Sequence, residues 1–303
     1  MNGILNINKP RGMTSFGVVA RVKHITHERK VGHAGTLDPQ ATGVLPVCLG
    51  HATRVMEFLF DETKVYRAEI QLGITTDTYD SEGKVLLRQD VSGISRETFT
   101  SFLLKFRGTI QQTPPMFSAL KHRGKPLYEL ARSGIEVERK SRRVRIDRLE
   151  IVEWQPPFVT LGIVCGKGTY IRSLAHDLGE SLGCGASLNS LVRLRVGPFS
   201  IEEALTLPQL EEAGRLSQLE KYIHPVDYAL SNFRAVKVNQ EQQNALIHGF
   251  LVSLDIESEK LLSNDPSDSF VRAYTEDGRF LGMIKHDAET HLWHPEKIFL
   301  QGA

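Results

Sequence analysis

An α+β fold is what the amino-acid sequence predicts, and three features predict it. Apolar residues recur at helical spacing over 14–25 and 171–182, and at strand spacing over 65–74 and 159–165. Beyond Pro225 the pattern changes to one short helix and short strands around an Asp-Gly turn, which reads as a small β-rich unit.

The first helix, "TSFGVVARVKHI" (14–25), opens on Thr14 and Ser15, whose hydroxyls accept from the free N–H groups of a first turn. Val18, Val19, Val22 and Ile25 form its apolar stripe, and a loop carrying Asp38 follows. In "VYRAEIQLGI" (65–74), Tyr66, Ala68, Ile70, Leu72 and Ile74 share one face while Arg67, Glu69 and Gln71 share the other. That alternation predicts a half-buried strand. "TTDTYDSEGK" (75–84) reads as a polar, solvated turn, because Asp77, Asp80 and Glu82 do not follow a calcium-loop pattern. In the stretch 113–145 a Pro-Pro pair, Gly124 and Pro126 break regular structure around a short helix, which predicts a surface arm. Val159, Leu161, Ile163 and Cys165 then share a strand face, and "GKG" turns the chain. Ile171, Leu174, Ala175, Leu178 and Leu182 mark a helix closed by Gly183, so Tyr170 and Arg172 fall at a strand-to-helix junction. In the tail, "NQEQQNALIHG" predicts a short helix and Asp277-Gly278 a type I′ hairpin turn. The expected division is 1–230, with an arm over about 113–148, and 231–303.

With 303 residues, 41% hydrophobic and 24% charged, the chain resembles an ordinary globular protein with room for two cores. "MNGILNINKP" lacks the pattern of a secretory leader and no apolar run approaches a membrane span, so a cytoplasmic location is expected. A monomer is expected as well. Cys48, Cys165 and Cys184 are odd in number and without CxxC spacing, which predicts buried, reduced thiols and no zinc site. Net charge is only +1, but it is segregated. Lys121–Arg148 holds ten basic residues against four acidic, while Ile201–Phe270 holds five against twelve. A basic surface for a polyanion is the expectation.

Common nucleotide signatures fail. "GIVCGKGT" (162–169) has Leu161 in place of the first phosphate-loop glycine, and "GCGASL" (183–188) lacks the third glycine of a dinucleotide fingerprint. No GxSxG elbow occurs. "GTLDPQATG" instead sets one carboxylate, Asp38, among small and apolar residues. An Asp before Pro caps turns, and Gly35 and Gly43 permit tight bends. A carboxylate held rigid and partly desolvated in such a loop is also suited to chemistry on a ligand.

"NINKPRGMTS" (7–16), "VGHAGTLDPQATGVLPVCLGHATR" (31–54), "KVYRAEIQLGITTDTYDSEG" (64–83), "PPMFSALKHRGKPLYELARSGIEVERKSR" (114–142) and "CGKGTYIRSLAHDLGESLGCGASL" (165–188) together resemble the TruB family of tRNA pseudouridine synthases. The tail resembles the small RNA-binding PUA domain. The resemblance implies a pseudouridine-synthase fold, with a mixed, largely antiparallel sheet flanked by helices, and isomerisation of uridine 55 in the tRNA T-loop. It implies that Asp38 is the catalytic aspartate and that His33 packs against T-loop bases. Tyr66 is then expected to stack on the flipped uracil, Leu191 to close its pocket, and Tyr170 and Arg172 to match "GTYIR", with Arg172 paired to the aspartate. Val192 stands where family members commonly carry an arginine.

The chemistry so implied breaks and remakes one glycosidic bond with no net redox change, so no cofactor or metal is expected. An ionised Asp38 is required, and Arg172 is expected to keep its pKa low. Lys121, Arg123, Arg139, Lys140, Arg142 and Arg143 are expected to contact the RNA backbone. Two alternatives remain at this stage: an RNA-binding protein without catalysis, and a base methyltransferase using Cys48 as nucleophile.

Overall fold

A computed structural model describes residues 1–254 and 269–299. Its first part runs β1 (Gly3–Lys9), α1 (Ser15–Thr26), β2 (Val31–His33), β3 (Thr42–Leu49), α2 (Met56–Asp61) and β4 (Lys64–Leu72). There follow β5 (Ile74–Thr76), β6 (Val85–Arg88), α3 (Arg96–Leu103) and β7 (Gly108–Gln112). The arm carries β8 (Lys121–His122), β9 (Lys125–Pro126) and α4 (Leu127–Arg132). Next come β10 (Arg142–Gln155), β11 (Phe158–Cys165), α5 (Ile171–Leu182), β12 (Ala186–Val196), β13 (Phe199–Ser200), α6 (Leu207–Arg215) and β14 (Ile223–His224). The tail holds β15 (Arg234–Lys237), α7 (Gln240–Ile247), β16 (Phe270–Tyr274), β17 (Phe280–His286) and β18 (Trp293–Ile298).

Ten strands form one sheet along the path β14-β1-β3-β12-β4-β11-β10-β7, with β2 on β3 and β13 on β12. Its strand pairs are antiparallel except β3 with β12, where Val192 lies opposite Thr42 and Arg193 opposite Gly43. The sheet is thus mixed and largely antiparallel. At the parallel junction the backbones nearly touch: a Cβ on Gly43 (φ +101°) would lie 2.2 Å from the Arg193 carbonyl oxygen. Only glycine fits there. Helices cover the sheet, with Val18, Val22, Leu207 and Leu210 packed on Leu5, Ile7 and Leu45, and Leu174 and Leu178 packed on Ala68 and Ile70.

α1 is capped as its sequence predicts, Thr14 accepting from the Gly17 amide, and α5 ends on Gly183 in the left-handed region at φ 76°. Tyr66, Ala68, Ile70 and Leu72 are buried on β4, but the strand stops there. Gly73 (φ +79°) turns the chain, and Ile74 belongs to the separate β5–β6 hairpin. The polar stretch 75–84 therefore supplies the last two residues of β5, Thr75 and Thr76, and the tip of the hairpin, and is not a free loop. The arm is shorter than its sequence implies, since β10 begins at Arg142 and pairs with β7 from Arg142 to Ile146.

β15–β18 form a separate four-stranded sheet, a small β-rich unit as expected of a PUA-like tail. Its Met283 joins Phe58, Leu59, Ala229 and Leu230 in one apolar cluster, so the two sheets share a packed boundary. The Asp277-Gly278 turn differs from expectation. Gly278 has φ 85° but Asp277 does not enter the left-handed region, and the Gly278 amide bonds to the Thr275 carbonyl at 2.9 Å. That is a type I turn followed by a glycine bulge, with Tyr274 opposite Phe280. Cys48, Cys165 and Cys184 are buried free thiols. Among the described residues no helix is long and apolar enough to cross a membrane.

Candidate active site

Asp38 lies on the loop between β2 and β3, and several elements hold that loop from below. Ser15, the first residue of α1, clamps Leu37 at both backbone groups: its hydroxyl accepts from the Leu37 amide at 2.9 Å and donates to the Leu37 carbonyl at 3.1 Å. Lys9, wholly buried at the end of β1, donates to the carbonyls of Pro10, Met13 and Pro39 at 2.9, 2.6 and 3.0 Å. The Gly12 amide also reaches Pro39 at 2.8 Å, and the Ala41 amide closes a turn on the Asp38 carbonyl at 3.1 Å. Arg193, buried behind the loop, donates to Gly35 at 2.9 Å and to Val44 at 2.7 Å. Leu37 and Ala41 sink into the core beside Tyr66 and Leu191. The turn expected from Asp-Pro thus exists, with its backbone fixed on both sides of the carboxylate.

Arg172, in the first turn of α5, meets Asp38 through a two-pronged contact: Nε lies 2.9 Å from Oδ2 and Nη2 3.1 Å from Oδ1. Planar, bidentate pairing fixes orientation as well as charge. The same guanidinium donates to the Thr78 carbonyl at 3.2 Å and the Phe117 carbonyl at 2.8 Å, and lies 3.5 Å from the Asp80 carboxylate. Arg172 is thereby a hub between the aspartate loop, the β5–β6 hairpin tip and the arm. Its side chain is 6% accessible, that of Asp38 42%, so the carboxylate is the member that a ligand reaches.

Electrostatics correct one expectation. Although the Asp38 side chain keeps an accessible edge, desolvation by the protein packed around it pushes its carboxyl above its ordinary value; the Arg172 cation opposes this, Asp80 adds to the rise, and Lys9 opposes it. Arg172 therefore limits an upward shift rather than producing a low pKa. Burial also lowers Lys9 to about 8, with Arg193 contributing, and lowers His33, again with Arg193 contributing. For Cys48 burial pushes the thiol up to about 12, and it has no accessible surface, which removes the methyltransferase alternative built on it.

Tyr66 and Leu191 lie on neighbouring strands β4 and β12, in the buried cluster that also takes in Leu37 and Ala41 of the Asp38 loop. His33 ends β2 just before the loop, half-buried, with Nδ1 lacking a protein partner. Tyr170 is the N-cap residue of α5, its backbone clamped by the Gln112 amide side chain at 2.8 and 3.0 Å, with Arg142 over its ring at 4.9 Å. Val192 lies in the parallel junction. Of the six basic residues assigned to RNA, Lys121, Arg123, Lys140 and Arg143 are exposed and, among the described residues, make no ion pair or side-chain hydrogen bond. Arg139 and Arg142 are half-buried and bond to the carbonyls of Pro114 and Gly168. They hold the arm and the α5 junction together instead of facing outward. Asp80 corrects the reading of 75–84 as solvated, because its side chain is 20% accessible and faces Arg172.

The roles of Lys9, Ser15, Asp80 and Arg193 at the site were not expected from the sequence. A lysine closing an apolar strand and an arginine two places after Leu191 in the same strand were the available signals for two of them; Ser15 was legible only as a cap.

A mixed sheet with an aspartate loop at its parallel junction, gripped by an arginine at the start of a helix, fits the pseudouridine-synthase class that the sequence resembles, and comparison with known proteins shows that class. The chain matches the TruB family pseudouridylate synthase N-terminal domain over residues 23–171, and the tRNA pseudouridylate synthase B C-terminal domain over residues 172–231. It belongs to the TruB family. Relatives include tRNA pseudouridine synthase B of Dehalococcoides mccartyi, 45% identical over 99% of this chain and 97% of that one. The Clostridium kluyveri protein of the same name is 44% identical over 93% and 95%. Among solved structures, a Cbf5-Nop10-Gar1 complex superposes with a TM-score of 0.76 at 28% identity, over 99% of this chain and 85% of that one. An H/ACA RNP bound to a substrate RNA containing 2'-deoxyuridine gives 0.73 at 26%, over 98% and 85%.

Proposed function

We propose that this chain isomerises uridine to pseudouridine in tRNA, acting on uridine 55 of the T-loop. The observation that carries the reading is the two-pronged Asp38–Arg172 pair, an accessible carboxylate on a buried arginine, on a loop whose Leu37 and Ala41 join Tyr66 and Leu191 in one buried cluster. Relatives named tRNA pseudouridine synthase B match nearly the whole chain, which supports the pseudouridine-forming part of the reading.

In this reading the target base leaves the T-loop stack, at a cost of a few kcal/mol. Packing against Tyr66 returns about 1 to 3 kcal/mol. Asp38 assists cleavage of the bond from N1 to C1′, the freed base turns in a pocket closed by Leu191, and the bond re-forms from C5 to C1′ as the C5 hydrogen leaves. Arg172 holds the carboxylate in one orientation throughout, and loss of that partner would leave it misdirected. His33, Tyr170 and the exposed arm cations bind the surrounding loop and its phosphates, which position the RNA without reading its bases. Recognition of a loop by shape is the usual mode for RNA.

Release of the C5 hydrogen from a T-stem-loop labelled at that position tests reaction and site together. Asp38→Asn is expected to bind this RNA as the wild type does while product formation falls by at least about 10³-fold. Unchanged product formation would overturn the role given to Asp38, and an absence of product from the wild type would leave an RNA-binding protein without catalysis.

A further inference from the structure

Tyr79 and His176 form a flat stack beside the candidate active site, their ring centroids 3.9 Å apart and their planes 8° from parallel. Each is the neighbour of a residue in the Asp38–Arg172–Asp80 network. Tyr79 precedes Asp80 in the β5–β6 hairpin tip, and His176 lies one helical turn beyond Arg172, on the same face of α5. The ion pair and the ring stack therefore join the same two elements side by side.

The hairpin tip needs such a second hold. Tyr79 has φ +64°, a conformation that a residue with a bulky side chain adopts only when its surroundings impose it. Backbone bonds close the tip on both flanks of Asp80: the Leu188 amide reaches the Tyr79 carbonyl, and the Ser81 amide reaches the Leu188 carbonyl, both at 2.9 Å. These fix the tip to β12, but nothing in them fixes it to α5. Asp80 itself lies 3.5 Å from Arg172, a distance at which orientation depends on what flanks it. Both rings of the stack are half-buried, and the His176 Nδ1 atom has no protein partner, so His176 is held in place chiefly through its ring face.

We infer that Tyr79 and His176 are a pair of positioning residues whose stack docks the hairpin tip on α5, so that Asp80 and the Thr78 carbonyl hold Arg172 in the geometry that aims Asp38. The inference rests on the proposed pseudouridine-forming reaction. Neither ring touches the reacting atoms, so the stack acts on turnover through Arg172 and not on RNA affinity.

Four ring variants and an Asp80→Asn background, assayed by single-turnover C5-hydrogen release with RNA affinity measured in parallel, separate this role from general structural support. Tyr79→Phe and His176→Phe keep two flat rings, and wild-type rates are expected. Tyr79→Gly suits the backbone better than tyrosine does but removes the ring. A fall in the single-turnover rate between about threefold and tenfold, at unchanged affinity and melting temperature, is expected of it and of His176→Ala. His176→Ala placed on Asp80→Asn should add little further loss, since both act through Arg172. Wild-type turnover for Tyr79→Gly, a change confined to affinity, or full additivity with Asp80→Asn would overturn the inference. Asp38→Asn run alongside keeps the two readings apart: if it remains active the proposed reaction fails, whereas an inactive Asp38→Asn with a fully active Tyr79→Gly defeats the stack alone.

Discussion

Arg172 grips both carboxylate oxygens of Asp38, at 2.9 and 3.1 Å, while its other N–H groups reach Thr78, Phe117 and Asp80 on two further loops. One side chain thus sets the direction of the carboxylate and the closure of the site around it. A lysine supplies the charge but not the fork, so Arg172→Lys is expected to lower kcat by about 10- to 100-fold, the worth of one or two charge-assisted hydrogen bonds. Single-turnover rates on a T-stem-loop check this; an Arg172→Lys enzyme at the wild-type rate would contradict it.

The acid side of the pH–rate profile should report Asp38. Its ionised form is the reactive one, so turnover falls as pH drops through its pKa, and because burial raises that pKa the fall begins above the range of an ordinary carboxyl. Asp80 contributes to the rise. Asp80→Asn therefore carries a double signature: the plateau rate drops because Arg172 loses a partner, while the acid limb moves to lower pH because a neighbouring anion is gone. A limb that moves upward or stays fixed would show that another group titrates there.

Much of the fold was legible because burial is one-sided. Tyr66, Ala68, Ile70 and Leu72 announce β4 by alternation, and α5 announces itself by its stripe and Gly183. β1 and β3 are buried on both faces and so show no alternation: β1 buries Asn6 and Lys9 among its apolar residues, and β3 is a continuous apolar run that Pro46 disguises further. At the site, Asp38 and Arg172 came from a five-residue motif and a loop. Asp80 and Arg193 did not, since their roles exist only where residues far apart in sequence meet: Asp80 looked like any hairpin-tip carboxylate until α5 was placed against it.

Lys9 shows what a buried charge under the aspartate loop does to stability. Its folded pKa of about 8 lies below the ordinary 10.5, so the unfolded chain holds the extra proton between these values. Stability contributed through this group therefore rises with pH across that window and is reduced below it. Relative to Lys9→Met, the wild type should gain up to about 2 to 3 kcal/mol between pH 8 and 10.5. Denaturant unfolding of both forms at several pH values measures the difference, and a gap independent of pH would refute the assignment.

Gly43 tests the junction that carries the loop. An added Cβ would meet the Arg193 backbone at 2.2 to 2.9 Å, where no side chain can yield. Gly43→Ala should cost at least about 3 kcal/mol, or prevent folding, through φ strain and separation of β3 from β12. Gly124 makes the control, since its Cβ position is open although its φ is also positive. Gly124→Ala should pay only the conformational term, and equal effects of the two substitutions would remove the close approach as the cause.

The arm uses its cations in two ways. Arg139 and Arg142 bond to backbone carbonyls of the protein, so replacing them disturbs the fold as well as any RNA contact. Lys121, Arg123, Lys140 and Arg143 are exposed and, among the described residues, free of acidic partners. Each phosphate contact releases condensed counterions, so log Kd depends on log salt in proportion to the number of contacts. Replacing the four with Gln should weaken tRNA binding and flatten that slope by up to about three, while the melting temperature and the saturated single-turnover rate stay near wild type. Arg142→Gln should behave differently: it loses the Gly168 carbonyl and the Tyr170 ring, and the saturated rate falls because α5 begins at that junction. If the quadruple variant keeps the wild-type salt slope, the RNA backbone lies elsewhere on the surface.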